Sequence, residues 1–166
     1  MLKVIHSLRE MQYSELMAVY HEFLSITAQD WSGISPDHGL QLAEQDLWQY
    51  MDQVFFKTKG AVAVVWLRDG HYASILRLEP YRDGLLLSAL ETIPQYRRQG
   101  CAESLIRGVI AHLKESGENR IYSHVANKNK ASLSLHLKCG FQKISDCAVY
   151  LDGSVDPRSS TLYLTV

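Results

Sequence analysis

The sequence predicts an α+β protein with an antiparallel meander at its centre. Two β-rich runs meet at the turn Asp69-Gly70, and a third follows the turn Arg82-Asp83-Gly84. Stretches whose apolar residues recur at helical spacing stand before and after these runs. That order of elements defines the class.

The apolar opening at residues 2–8, with Val4 and Ile5, predicts a first strand. From Tyr13 onward Leu16, Val19, Tyr20, Phe23 and Leu24 fall three and four apart, one face of a helix. Residues 25–39 break the pattern with Gly33, Pro36 and Gly39, and a second helix follows over 40–55. The meander then occupies 61–68, 72–78 and 85–93. A long amphipathic helix carries Ala102, Leu105, Ile106, Val109, Ile110 and Leu113, with Gly117 at its C-terminal cap. Residues 121–125 read as a strand, Asn129 as the cap of a short helix ending at Gly140. The β-rich runs 141–151 and 161–166 flank a turn with Gly153 and Pro157. No repeat, low-complexity tract or linker interrupts the 166 residues, so a single domain over 1–166 is expected.

Composition narrows the function. Hydrophobic residues make up 46% and charged residues 21%, which excludes intrinsic disorder. Seventeen Lys+Arg against eighteen Asp+Glu leave a net charge of −1, so neither nucleic acid nor an anionic membrane is the expected partner. The longest apolar run, 61–67, is too short to span a bilayer, and the first twenty residues have no signal-peptide core. Cys101, Cys139 and Cys147 form no C-x-x-C pair; reduced thiols in a cytoplasmic protein, with no metal site, are expected. G-x-G-x-x-G, Walker A and G-x-S-x-G motifs are absent, and His21-Glu22 begins an H-E-x-x-H pattern that fails at Ser25.

The distinctive stretch is the strand-to-helix junction Ile93-Pro94-Gln95-Tyr96-Arg97-Arg98-Gln99-Gly100-Cys101-Ala102. Free N–H groups at such a helix start can cradle phosphate oxygens, favoured by the macrodipole and by a glycine that lets the ligand approach the backbone. An ordinary basic turn would use the same residues. Here the sequence resembles the GNAT N-acetyltransferases, whose pyrophosphate loop, Arg/Gln-x-x-Gly-x-Gly/Ala, is matched by residues 97–102. A second signature of that family, an asparagine followed by a short helix ending in Gly-Phe, is matched by Asn129, Ala131, Ser132, Leu135 and Gly140-Phe141.

The resemblance implies a twisted, mainly antiparallel sheet splayed between its fourth and fifth strands and flanked by helices. Acetyl-CoA would lie in the splay as co-substrate. Arg97, Arg98, Gln99, Gly100, Cys101, Ala102 and Glu103 would surround its pyrophosphate. The backbone at Leu90 and Thr92 would pair with the pantetheine arm, and Asn129 would contact the pantetheine side of the cofactor. The implied activity is acetyl transfer to a primary amine, of a small molecule or a protein, by direct attack on the thioester. A non-catalytic acyl-CoA sensor is the alternative, and a homodimer is left open.

The family's acid is a tyrosine seven positions after the asparagine; here that position is His136, which could protonate a thiolate as an imidazolium. The family's strand-four acid falls at Ser88. Glu91, charged within an apolar run, is one base candidate, although its parity points it to the other face unless a bulge intervenes. His124, on the fifth strand, is the other. Trp31, Asp30 and Asp37 lie in the segment that often covers the acceptor pocket in this family.

Overall fold

The computed structural model describes residues 1–29 and 33–166. Among them the chain forms β1 (Leu2–Ile5), α1 (Tyr13–Gln29), α2 (Pro36–Gln53), β2 (Val62–Arg68), β3 (His71–Tyr81), β4 (Gly84–Thr92), α3 (Cys101–Ser116), β5 (Arg120–Ala126), α4 (Lys130–Lys138), β6 (Gln142–Ser145), β7 (Ala148–Val149), β8 (Val155–Asp156) and β9 (Ser159–Thr165). Seven strands make one sheet in the order β1-β2-β3-β4-β5-β9-β6; β7 and β8 pair separately. All neighbours in the large sheet are antiparallel except β4 and β5, whose parallel pairing covers only Leu85–Leu87 against Ile121–Ser123. Beyond Leu87 and Ser123 the two strands part. This is the α+β sheet, open between strands four and five, that the sequence led us to expect.

Each face of the sheet buries its own core. On the front, α1 and α2 cover Ile5, Ala63, Val65 and Ile75 with Leu16, Tyr20, Leu24 and Met51. On the back, α3 lays Leu105, Ile106 and Val109 against Val64, Leu76, Leu78 and Leu87. Alternation along each strand divides the residues between the two layers.

The structure corrects two boundaries. The helix expected to end before Ser25 continues to Gln29, and the second helix starts at Pro36 rather than Leu40. Ser35 caps α2, its hydroxyl accepting the His38 N–H at 3.4 Å, and proline suits the first helical turn because its missing N–H has no partner there. Gly39 is no breaker: a Cβ there would stand 3.2 Å from the Ala28 carbonyl oxygen and 3.3 Å from the Ala28 Cβ, so glycine lets α1 and α2 approach. The 141–151 run also divides, into β6 and β7. Asp30 and Trp31 lie outside the described residues; Asp37 is in the exposed first turn of α2.

Candidate active site

Where β4 and β5 part, the site has an anion cradle at one end and a carboxyl with two histidines around the fork. The cradle is the start of α3. Gly100 is its N-cap, with φ +79°, and no side chain caps the helix. The amides of Cys101, Ala102 and Glu103 therefore lack the intrahelical acceptors that later residues have, and Ser104 is the first to bond back, to Gly100 O at 2.8 Å. A Cβ on Gly100 would meet nothing within 4 Å, so the space beside this glycine is open. Arg98 also adopts a left-handed backbone, φ +61°. This geometry fits the pyrophosphate of a coenzyme A.

Three polar side chains of this loop, those of Arg97, Gln99 and Glu103, are engaged elsewhere. Arg97 donates from Nε to the Thr92 carbonyl at 3.1 Å and pairs with Glu22 of α1. Gln99 accepts from Arg68 and donates to the Gln95 carbonyl at 2.7 Å. Glu103 binds Arg107 at 3.0 Å and Lys138 at 2.6 Å, which lowers its carboxyl pKa. Main-chain N–H groups and the exposed Arg98 guanidinium are thus what the loop offers an anion.

Beyond the Leu87–Ser123 pair no strand among the described residues covers β4 on its β5 side, which leaves the edge from Ser88 through Leu90 to Thr92 open. Asn129 caps α4, its Oδ1 accepting the Ser132 N–H at 3.0 Å, and its side-chain amide faces no partner among the described residues.

On β4 a bulge decides which face Glu91 takes. Ser88 stands opposite Arg77, but Glu91 stands opposite Ile75, so three residues of β4 span two of β3. Ala89 supplies the extra residue, at φ +50°. Ser88 and Glu91 thereby share the front face despite their opposite parity. Glu91 is partly buried there, which raises its carboxyl pKa, while Arg97 opposes and Glu22 reinforces the shift.

His124 follows the last β4-paired residue of β5 and is also on the front face, between the rings of Tyr81 and Tyr150 with centroids at 5.3 and 5.2 Å. Both ring nitrogens are shielded and without a hydrogen-bond partner among the described residues, and burial, with Arg82 nearby, lowers its pKa.

His136 is on the back, 1% exposed, against Phe141. Its Nδ1–H donates to the Ser132 carbonyl at 2.8 Å, so Nε2 accepts from the Ser123 hydroxyl at 3.1 Å. Burial lowers its pKa. An imidazole held this way is neutral and has no N–H left to give a thiolate. The fold therefore brings Glu91 and His124 to one face of the fork and separates His136 from them.

Sequence reasoning missed two front-face residues. Tyr20 reads as part of an apolar helical stripe, yet its hydroxyl reaches the bulge carbonyl of Ala89 at 2.7 Å. Arg77 is a charge inside an apolar run, the same signal that singled out Glu91.

The comparisons agree with this architecture. The family model described as "Acetyltransferase (GNAT) family" matches residues 17–141. The chain belongs to the GNAT acetyltransferase family. Compared by sequence with curated proteins, it matches none. Among solved structures it is similar to the PaiA N-acetyltransferase of Thermoplasma acidophilum in complex with coenzyme A, at 13% identity, covering 100% of this chain and 99% of that one, with a TM-score of 0.66. An acetyltransferase of Streptococcus agalactiae is 18% identical, with coverage of 99% and 98% and a TM-score of 0.68. The ribosomal-protein-S18-alanine N-acetyltransferase of Escherichia coli is 19% identical, with coverage of 100% and 94% and a TM-score of 0.59. At such identities the likeness is one of fold.

Proposed function

We propose that this protein is an acetyl-CoA-dependent N-acetyltransferase that delivers the acetyl group to a primary amine by direct attack on the thioester. The observation that carries this reading is the bulge at Ala89, which turns the Glu91 carboxyl onto the face of the fork opposite the back-layer helices. The amides of Arg98, Gln99, Gly100, Cys101, Ala102 and Glu103 hold the pyrophosphate, the β4 edge at Leu90 and Thr92 pairs with the pantetheine, and the free amide of Asn129 flanks it. Bound there, the coenzyme supplies an activated acyl group and a thiolate leaving group.

Glu91 accepts the proton of the incoming ammonium. Its raised pKa makes it a stronger base than an exposed glutamate. His124 forms part of the acceptor wall; its nitrogens are shut behind two tyrosine rings, so the base role falls to Glu91. His136 positions β5 and α4, and the thiolate takes its proton from solvent. Cys101 and Cys139 are buried and are not needed as nucleophiles in direct transfer.

Calorimetry with coenzyme A and thiol release from acetyl-CoA over a panel of amines test the proposal together. Binding with acceptor-dependent thiol release supports it. The neutral, fully bonded imidazole at the family's acid position favours the second reading, a sensor that binds acyl-CoA without turnover. Binding without release from any acceptor would establish that one.

A further inference from the structure

Arg77 carries a charge that nothing described in the fold neutralises. It stands on β3 opposite Ser88, two residues along the strand from Ile75, which pairs with Glu91, and on the same face. The guanidinium carbon is 5.1 Å from the ring centroid of Tyr50 and 5.6 Å from that of Phe55, so aromatic rings of the α2 layer pack against it. Those contacts fix the side chain but accept no in-plane N–H bonds. Its Nε is shielded from water with no hydrogen-bond partner, and no carboxylate is within ion-pair distance among the described residues. Glu79, two residues along β3, accepts instead from the Ser88 hydroxyl at 3.4 Å.

A shielded guanidinium N–H without an acceptor is costly unless a ligand supplies one. Arg77 also lines a cavity of about 310 Å³ between α1, α2 and the sheet, whose walls include Leu24, Ala43, Leu47 and Tyr50, with Asp46 as its acidic lining residue. The front face thus carries a cation flanked along the sheet by two carboxyls, Glu79 and Glu91. Register pairs two residues apart are ~6.7 Å apart along a strand, the scale of a small zwitterion.

We propose that the acceptor is an amine that also bears a carboxylate, of the amino-acid class, and that Arg77 receives the carboxylate while the amine faces Glu91. This deepens the acetyltransferase reading and rests on it. A guanidinium suits a carboxylate through two parallel N–H bonds, and the same charge repels the second cation of a polyamine.

The test measures thiol release with the full chain and saturating acetyl-CoA on phenylalanine and leucine, on their carboxamides, and on spermidine. The α-amine of an amino-acid amide is less basic than that of the free acid, so intrinsic reactivity works against the expected preference. We expect kcat/KM for the free acids to exceed that for the amides by about 10-fold or more, the scale of one charge-assisted pair, and spermidine to be poorest. In Arg77→Met the acid-to-amide ratio should fall to about 1, while Arg77→Lys, which keeps the charge without the fork, falls between. Should neither variant fold, 3-phenylpropanoate decides with the native chain: it should compete with the acceptor and not with acetyl-CoA. Equal or better use of the amides, or no competition by the amine-free acid, overturns the proposal and leaves the transferase reading standing. Coenzyme A binding without thiol release overturns both this proposal and catalysis. No coenzyme A binding at all removes the site itself.

Discussion

The Tyr20 hydroxyl, on α1, donates a 2.7 Å hydrogen bond to the carbonyl of Ala89, the residue on which β4 bulges. A non-glycine residue at φ +50° is strained and persists only where its surroundings hold it. The buried phenol does so from the helical layer, and burial raises its own pKa, so it remains a donor at every relevant pH. Tyr20 therefore acts on Glu91 without touching it, by keeping the extra residue in β4. Tyr20→Phe should cost about 1 kcal/mol of stability, the net value of one hydrogen bond. Its distinguishing readout is the acid limb of the pH–rate profile, which should move as the Glu91 environment changes. A profile superimposable on the parent's would leave Tyr20 a packing residue only.

Glu91→Gln is expected to lower kcat by ~10²–10⁴, the usual contribution of a general base. Because burial raises the Glu91 pKa, activity in the parent should rise with pH through a limb above the ordinary glutamate range. The glutamine variant should lack that limb. An unchanged limb in Glu91→Gln would assign the base elsewhere, with His124 the next residue to replace.

His136→Phe should unfold more easily, because it strands the buried Ser123 hydroxyl, at about 1–3 kcal/mol for an unsatisfied buried group. Turnover at saturating substrate should remain within a few-fold of the parent. A loss of ~10²–10⁴ in kcat with coenzyme A affinity intact would instead make His136 the proton donor.

The same histidine predicts a pH dependence of folding. Burial lowers the pKa of His136 in the folded state, as it does that of His124, so the unfolded chain binds more protons on the acid side. Stability is fully present above the unfolded histidine value of ~6.5 and falls as pH drops below it. His71, raised by its 2.8 Å pair with Glu15, acts in the opposite sense, but it is exposed and its contribution is screened. Denaturant midpoints measured from pH 7.5 to about 5 should therefore decline, and less steeply in His136→Phe. Equal slopes would show that other groups set the acid limit.

Gly100→Ala probes the anion cradle. The left-handed backbone costs an alanine about 1–2 kcal/mol, so the loop must shift to relieve it and the α3 amides move with it. Coenzyme A affinity should fall by at least about 10-fold, whereas Arg97→Ala, which removes a side chain already bound to Thr92 and Glu22, should change it less. If the arginine variant loses more affinity than the glycine variant, side-chain charge and not the backbone holds the anion.

Local chemistry made much of this legible. Asp69-Gly70 and Arg82-Asp83-Gly84 mark the meander turns because those positions need left-handed backbone, and Asp69, Gly70 and Arg82 all adopt it. Gly117 ends α3 at φ +79°, with Glu118 N–H reaching the Leu113 carbonyl at 3.1 Å. The Arg97–Ala102 loop was readable for the same reason: an uncapped helix start behind a glycine is a property of adjacent residues.

What tertiary structure alone decided lies between residues distant in the chain. Gly39 reads as a helix breaker until Ala28 is packed against it. Glu91 has the wrong parity until the bulge opposite Ile75 and Arg77, held by a hydroxyl 69 positions away, resets its face. His136 occupies the position of a proton donor in the sequence count, yet Ser123 and Ser132 claim both its nitrogens. The sequence by itself determined the elements, their turns and the anion loop, because these follow from local dihedral preferences and side-chain period. Which face each charged group meets, and which donors remain free for a ligand, depended on strand register and interlayer packing, which no short segment encodes.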